Sequence, residues 1–129
     1  MNPGSDGSTD GEKRTKPSMK ITINRIGRGL IVVQMTGRFH IEGVQNFDRA
    51  ISELFEESPK SIALNMEGLS YIDSSGIGAL VKVMNISKNR GIDLVITDLN
   101  KEILHIFKLA SLDRFFTIST HKEITARYS

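Results

Sequence analysis

From residue 19 onward the apolar residues switch repeatedly between a period of two and a spacing of three and four, and this alternation limits the chain to few folds. Ile21 and Ile23, then Leu30, Ile31, Val32, Val33 and Met35, read as two strands linked as a hairpin across Gly27, Arg28 and Gly29. Val44, Phe47, Ala50, Ile51, Leu54 and Phe55 recur at helical spacing, with Glu42, Asp48, Glu53 and Glu56 on the other face, and Pro59 ends that helix. Residues 61–65 form a short apolar strand. After a loop, Ile77, Leu80, Val81 and Met84 mark a second helix, opposed by Lys82, Asn85 and Asn89 and capped by Gly91. Residues 92–97 read as a buried strand, Ile103, Leu104, Ile106 and Phe107 as a third helix, and residues 115–118 as a last strand. Thr120 with Glu123 three residues on is the signature of a capped terminal helix.

The order β-β-α-β-α-β-α-β-α implies an α/β fold: a mixed, mostly parallel sheet of four to five strands, with an antiparallel N-terminal hairpin and about four helices, reached by right-handed crossovers. On such sheets ligands and modifications collect at the carboxyl ends of strands, where helices begin. The loop after residues 61–65 is therefore the place to expect chemistry.

With 129 residues, 39% of them apolar, the chain can bury one core without staples. It has no cysteine, which excludes thiolate catalysis, cysteine-based zinc sites and disulfide frameworks. Seventeen Lys and Arg against fifteen Asp and Glu leave a net charge of +2, too little to draw in nucleic acid or an anionic membrane. Its apolar runs, such as residues 30–33, are far short of the roughly 20 residues of a membrane span, and the N-terminus lacks a hydrophobic signal core. A cytoplasmic protein is the default expectation. Residues 1–18 have no apolar residue after Met1, and Asp6, Asp10 and Glu12 cancel Lys13, Arg14 and Lys16, so they read as a disordered polar tail before a domain at 19–129.

The loop runs into Asp73-Ser74-Ser75-Gly76-Ile77-Gly78-Ala79-Leu80, which delivers two hydroxyls and a carboxylate to a helix N-terminus. In a purely structural role Asp73 or Ser74 caps the unpaired amides of the first turn, while Gly76 and Gly78 let that turn approach a neighbour. The same geometry also suits regulation. With one group capping, Ser75 would point outward, where a phosphate adds about −1.5 to −2 charges beside Asp73 yet meets the positive end of the helix dipole.

Here the chain resembles the STAS domains of the anti-sigma factor antagonist family, over essentially everything from Met19 on. The resemblance rests on the 73–80 run, on Ile62-Ala63-Leu64-Asn65-Met66-Glu67, on Gly91-Ile92-Asp93-Leu94 and on Ile106-Phe107-Lys108-Leu109-Ala110-Ser111-Leu112. It implies a STAS fold and a switch between partners. The unphosphorylated antagonist binds an anti-sigma factor that is also a serine/threonine kinase and so frees the sigma factor. Phosphorylation of the second serine of the run, here Ser75, separates the pair, and a serine phosphatase would reset it. The chain would then be a monomer or weak homodimer, not an enzyme, with no cofactor or metal of its own. One departure is Gly37-Arg38-Phe39-His40, where the family usually ends the turn after the second strand in Asp: His40 stands in for the acid near the phosphoacceptor, and its imidazole would favour the phosphorylated state at lower pH. The alternative is a STAS module that serves a transporter or signalling scaffold without switching, Ser75 acting only as a cap.

Other signals are weaker. Gly76-Ile77-Gly78 lacks the third glycine of a dinucleotide fingerprint and the glycine-lysine end of a phosphate loop, and no Gly-x-Ser-x-Gly elbow is present. His40, His105 and His121 lack the i, i+4 partner of a helical metal pair. Lys82, Lys88 and Arg90 form a modest basic face, with Lys82 a natural rim contact if the second helix docks a partner. Phe47, Phe55, Phe107, Phe115 and Phe116 fall at core periodicity, whereas Ile41, Ile77 and Met84 are candidates for a partly exposed apolar patch near the switch. The segment 37–43 is expected to form the other bank of that patch, with Gly37 and His40 in it.

Overall fold

Gly27 and Gly29, at φ of 55° and 106°, take the left-handed conformations that turn the chain back on itself. β1 (Met19–Ile26) thereby pairs antiparallel with β2 (Leu30–Phe39) along its whole length, from Met19 opposite Gly37 to Ile26 opposite Leu30. The computed structural model describes residues 19–128; the expected polar tail at 1–18 lies outside them. The remaining elements follow in the order α1 (Ile41–Phe55), β3 (Ser61–Ile72), α2 (Ser74–Arg90), β4 (Asp93–Thr97), α3 (Lys101–Leu109), β5 (Thr117–Ser119) and α4 (His121–Ala126). They build the expected α/β fold: one five-stranded sheet in the order β1-β2-β3-β4-β5, parallel from β2 onward.

The period-two pattern of the strands sorts side chains to two faces. Ile31, Val33 and Met35 of β2 and Ile62 and Leu64 of β3 join Phe47, Ile51 and Leu54 of α1, Leu80 and Val83 of α2 and Phe107 of α3 in the main core. On the opposite face Leu30, Val32, Ala63 and Val95 meet Ile124 of α4. Coverage of both faces explains why residues 61–66 are all buried and why Ile62, Ala63 and Leu64 follow one another as an unbroken apolar run. The hairpin is tied to the end of α1 by Arg25, whose Nε donates to Glu57 Oε1 at 2.8 Å, and this hydrogen bond holds the Glu57 carboxyl below its usual range.

Several expected boundaries move. β3 does not end at residue 65 but continues to Ile72, because β2 itself runs on to Phe39 and keeps pairing with it across register shifts at Gln34/Thr36 and Gly37/Arg38. Glu67, Gly68, Ser70 and Tyr71 are exposed, so this half of the strand carries the composition of a loop. Asn100, the N-cap of α3, braces it by donating from Nδ2 to the Leu69 carbonyl at 2.6 Å. The last strand starts at Thr117 rather than 115. Phe115 lies in the preceding turn, 38% exposed with the Lys88 ammonium 5.5 Å from its ring centre, while Phe116 fills the core position.

Candidate functional site

β3 hands over to α2 through Asp73, whose extended backbone (φ −117°, ψ −171°) makes it the N-cap. Its Oδ1 accepts from Ser75 N at 2.9 Å and from Gly76 N at 3.3 Å, satisfying two of the orphan amides of the first turn. The cap is therefore Asp73 alone. Ser74, the other candidate, is the first helical residue and is exposed, because an N-cap side chain must stand one position before helical backbone begins.

A second tether fixes this corner: Asp73 N donates to the Phe39 carbonyl at 3.3 Å, joining the end of β3 to the end of β2. Gly76 sits against the same carbonyl. A Cβ there would lie 2.6 Å from the Phe39 oxygen and 2.9 Å from Ile72 Cγ1, so α2 can approach the sheet only with glycine at this position. Gly78 does not share that role. It is exposed, and a Cβ on it would meet nothing within 4 Å, which corrects the expectation that both glycines serve close packing. Residues 75 and 78 are neighbours on a helix surface, so the side chain missing at 78 leaves the ground beside Ser75 bare.

Ser75 lies in the first turn of α2, half-buried, and among the described residues its hydroxyl has no hydrogen-bond partner. Ile77 is half-buried and leans on the main core. Met84 is 5% exposed and belongs to that core, so it does not contribute to an apolar patch. Ile41 does, at 68% exposure on the first residue of α1. Beside the preceding residue, His40, stands an aromatic that its loop-like surroundings concealed: Tyr71 is 40% exposed, with the Arg38 guanidinium 4.6 Å from its ring centre and the His40 ring edge-on at 6.4 Å.

The segment 37–40 is not a turn. Gly37, at φ 101°, belongs to β2 at a register shift, and its carbonyl accepts from Ser70 Oγ at 3.0 Å. His40 is the N-cap of α1, its Nδ1 accepting from Glu42 N at 3.4 Å and its Nε2 lying 3.8 Å from Glu42 Oε1. Because β2 and β3 are adjacent and parallel, α1 and α2 begin side by side, bringing Gly37, His40 and Ile41 to the end of the sheet that carries Asp73 to Gly78.

The basic face of α2 is engaged inside the molecule. Lys82 Nζ reaches Asp48 Oδ2 of α1 at 3.4 Å, and Arg90 reaches Glu56 at 3.7 Å while lying 5.4 Å from the Phe55 ring centre. Lys82 thus bridges two helices. Among the described residues no group of three or more His, Cys, Asp and Glu could hold a metal ion, and no helix is long and apolar enough to cross a membrane. Asp73→Ala should cost about 1 kcal/mol by stranding the first-turn amides, and Asp73→Asn only a few tenths, as the shift in urea midpoint will report. Equal losses in the two variants would show that the cap's hydrogen bonds do not matter.

The sequence profile of the STAS domain family matches residues 20–124. The anti-sigma-B factor antagonist of Staphylococcus aureus is 21% identical over 92 residues, covering 71% of this chain and 85% of the relative. The anti-sigma factor antagonist SpoIIAA superposes in its unphosphorylated form with a TM-score of 0.72 at 20% identity, covering 84% of this chain and 95% of that one. A sulfate transporter family protein from Wolinella succinogenes superposes with a TM-score of 0.67 at 17% identity, covering 81% and 88%.

Proposed function

This chain belongs to the STAS domain family, and from that premise we propose that it is an anti-sigma factor antagonist whose switch is the hydroxyl of Ser75. In its unphosphorylated state it binds an anti-sigma factor with serine-kinase activity and frees the sigma factor. ATP belongs to that partner; the chain is its substrate and not an enzyme. The Ser75 oxygen attacks the γ-phosphorus, its proton leaves, ADP departs, and the phosphorylated chain dissociates. A serine phosphatase would return it to the binding state.

The observation that carries this reading is the half-buried Ser75 hydroxyl in the first turn of α2, without a hydrogen-bond partner among the described residues, at the end of the sheet where Ile41 and Tyr71 are exposed. A phosphate there adds about −1.5 to −2 charges close to the Asp73 carboxylate, while the positive helix end and the bare surface at Gly78 let the fold keep its architecture. A protein seated over Ile41 and Tyr71 has no such relief. It would have to desolvate a dianion, and a penalty of about 3 to 4 kcal/mol weakens binding several hundred-fold.

Incubation with cognate anti-sigma kinases and ATP, followed by phosphate mapping by mass spectrometry, tests this. Phosphate on Ser75, with Ser74 unmodified although it is the more exposed hydroxyl, is the expected result. The likeness to a sulfate transporter family protein keeps a second reading, a non-switching accessory module. Binding to the kinase with no phosphate on either serine would favour that reading and end the first.

A further inference from the structure

We propose that the free edge of β1 is an interface between two copies of this chain, joined about a two-fold axis at Thr22 into one ten-stranded sheet. β1 is the outermost strand, and all eight of its residues pair with β2 on the inner side; among the described residues nothing is bonded to its outer side. Open edges invite pairing, and proteins that stay monomeric blunt them with prolines, bulges, short length or inward charges. β1 lacks the first three, and its one inward charge, Arg25, falls near the end of the strand, beyond Ile21 and Ile23. It contains no proline, its register is unbroken, and of its two cations Arg25 is drawn away to Glu57. The opposite edge, β5, is only three residues long, so it cannot serve.

The strand is complementary to itself. Antiparallel pairing centred on Thr22 sets Ile21 against Ile23 of the other copy twice, Thr22 against Thr22, and Lys20 against Asn24. Moving the centre one residue along, to Ile23, would oppose Ile21 to Arg25 and leave one isoleucine pair, Ile23 against itself, where the Thr22 register has two and sets Arg25 against Met19. Ile21 and Ile23, only partly buried in one chain, would gain cover on the face that carries α1.

That face has a matching feature. A cleft of about 400 Å³ separates β1 from α1, lined by Ile21, Ile23, Asn46, Arg49, Ala50 and Glu53 among others. α1 runs alongside β1, starting where a Cβ on Gly43 would be 3.4 Å from Met19 Cβ. From there, three strand residues at about 3.3 Å and six to seven helical residues at about 1.5 Å each cover about 10 Å, so the axis at Thr22 passes at the level of Ala50. Along the helix axis, an antiparallel copy then brings Arg49 of each chain level, to within about one helical turn, with Glu53 of the other. Both side chains are exposed, and among the described residues neither makes an ion pair. An isologous contact of this kind closes on itself at two copies.

The edge lies across β2 from the strand that leads to Ser75, so this interface stands or falls separately from the phosphorylation reading. Sedimentation equilibrium of the full chain, from about 1 µM to about 1 mM, should give a mass rising from 14.3 kDa to twice that value. Ile23→Lys, an inward charge on an edge strand, should weaken self-association at least about tenfold with an unchanged circular dichroism spectrum. Since Ile23 also touches the core, exposed positions supply the second test: Arg49→Glu and Glu53→Arg should each weaken the dimer, and the double exchange should restore it. A monomer throughout the range, or a dimer indifferent to the charge reversals, overturns the proposal.

Discussion

With Ser75 replaced by Ala, the chain should hold its kinase partner in the presence of ATP and never be released. Ser75→Asp should bind at least about tenfold more weakly, and the phosphorylated parent several hundred-fold more weakly, since Asp carries one charge where phosphate carries nearly two. The expectation rests on where the charge sits. At the first turn of α2 it is stabilised by the helix terminus and solvent in the free chain, so folding is barely affected. When a partner covers the Ile41 and Tyr71 surface, the solvent is lost and Asp73 remains close by, held by Ser75 N and Gly76 N. Titration calorimetry with the three forms, paired with thermal melts, separates a binding effect from an unfolding one. Equal affinity for the Ala and Asp variants would remove charge as the basis of the switch.

Gly76→Ala should destabilise the protein by roughly 2 to 3 kcal/mol, lowering its melting temperature on the order of 10 °C. The added methyl would meet the Phe39 carbonyl oxygen at 2.6 Å and Phe39 Cγ at 3.0 Å, neither of which can yield without moving the end of β2. Because Asp73 N bonds to that same carbonyl, the strain would fall on the corner that presents Ser75. Gly78→Ala, two residues on and facing open space, should instead stabilise by about 0.5 to 1 kcal/mol, the ordinary gain of alanine over glycine inside a helix. The same methyl stands beside Ser75 on the helix surface, so a docked partner should feel it even though the fold does not. Chemical denaturation of both variants decides this, and similar losses in both would mean that α2 does not approach β2 as closely as described.

Features governed by neighbours a few residues away could be read in advance. Asp73, Gly91 and Thr120 cap their helices through bonds spanning two to five residues, and the alternation of strand and helix periods depends only on which face of each element is covered. The resemblance in residues 73–80 pointed to the right family. The boundaries that moved depend instead on distant partners. Residues 68–72 are a strand because residues 36–39 lie alongside them, and their own exposed, glycine-containing composition says loop.

Thus the local pattern by itself determined the succession of elements, the caps at Gly91 and Thr120 and the position of the phosphoacceptor candidate. Tertiary contacts decided which of two similar glycines is indispensable, that Met84 turns inward and Phe115 outward, and that Tyr71 stands with Ile41 and His40 at one rim. The physical reason is one of range: backbone hydrogen bonding and periodicity are settled within a turn or a strand. Burial and close approach are settled by residues some thirty positions away, as Phe39 is from Gly76 and Arg38 from Tyr71.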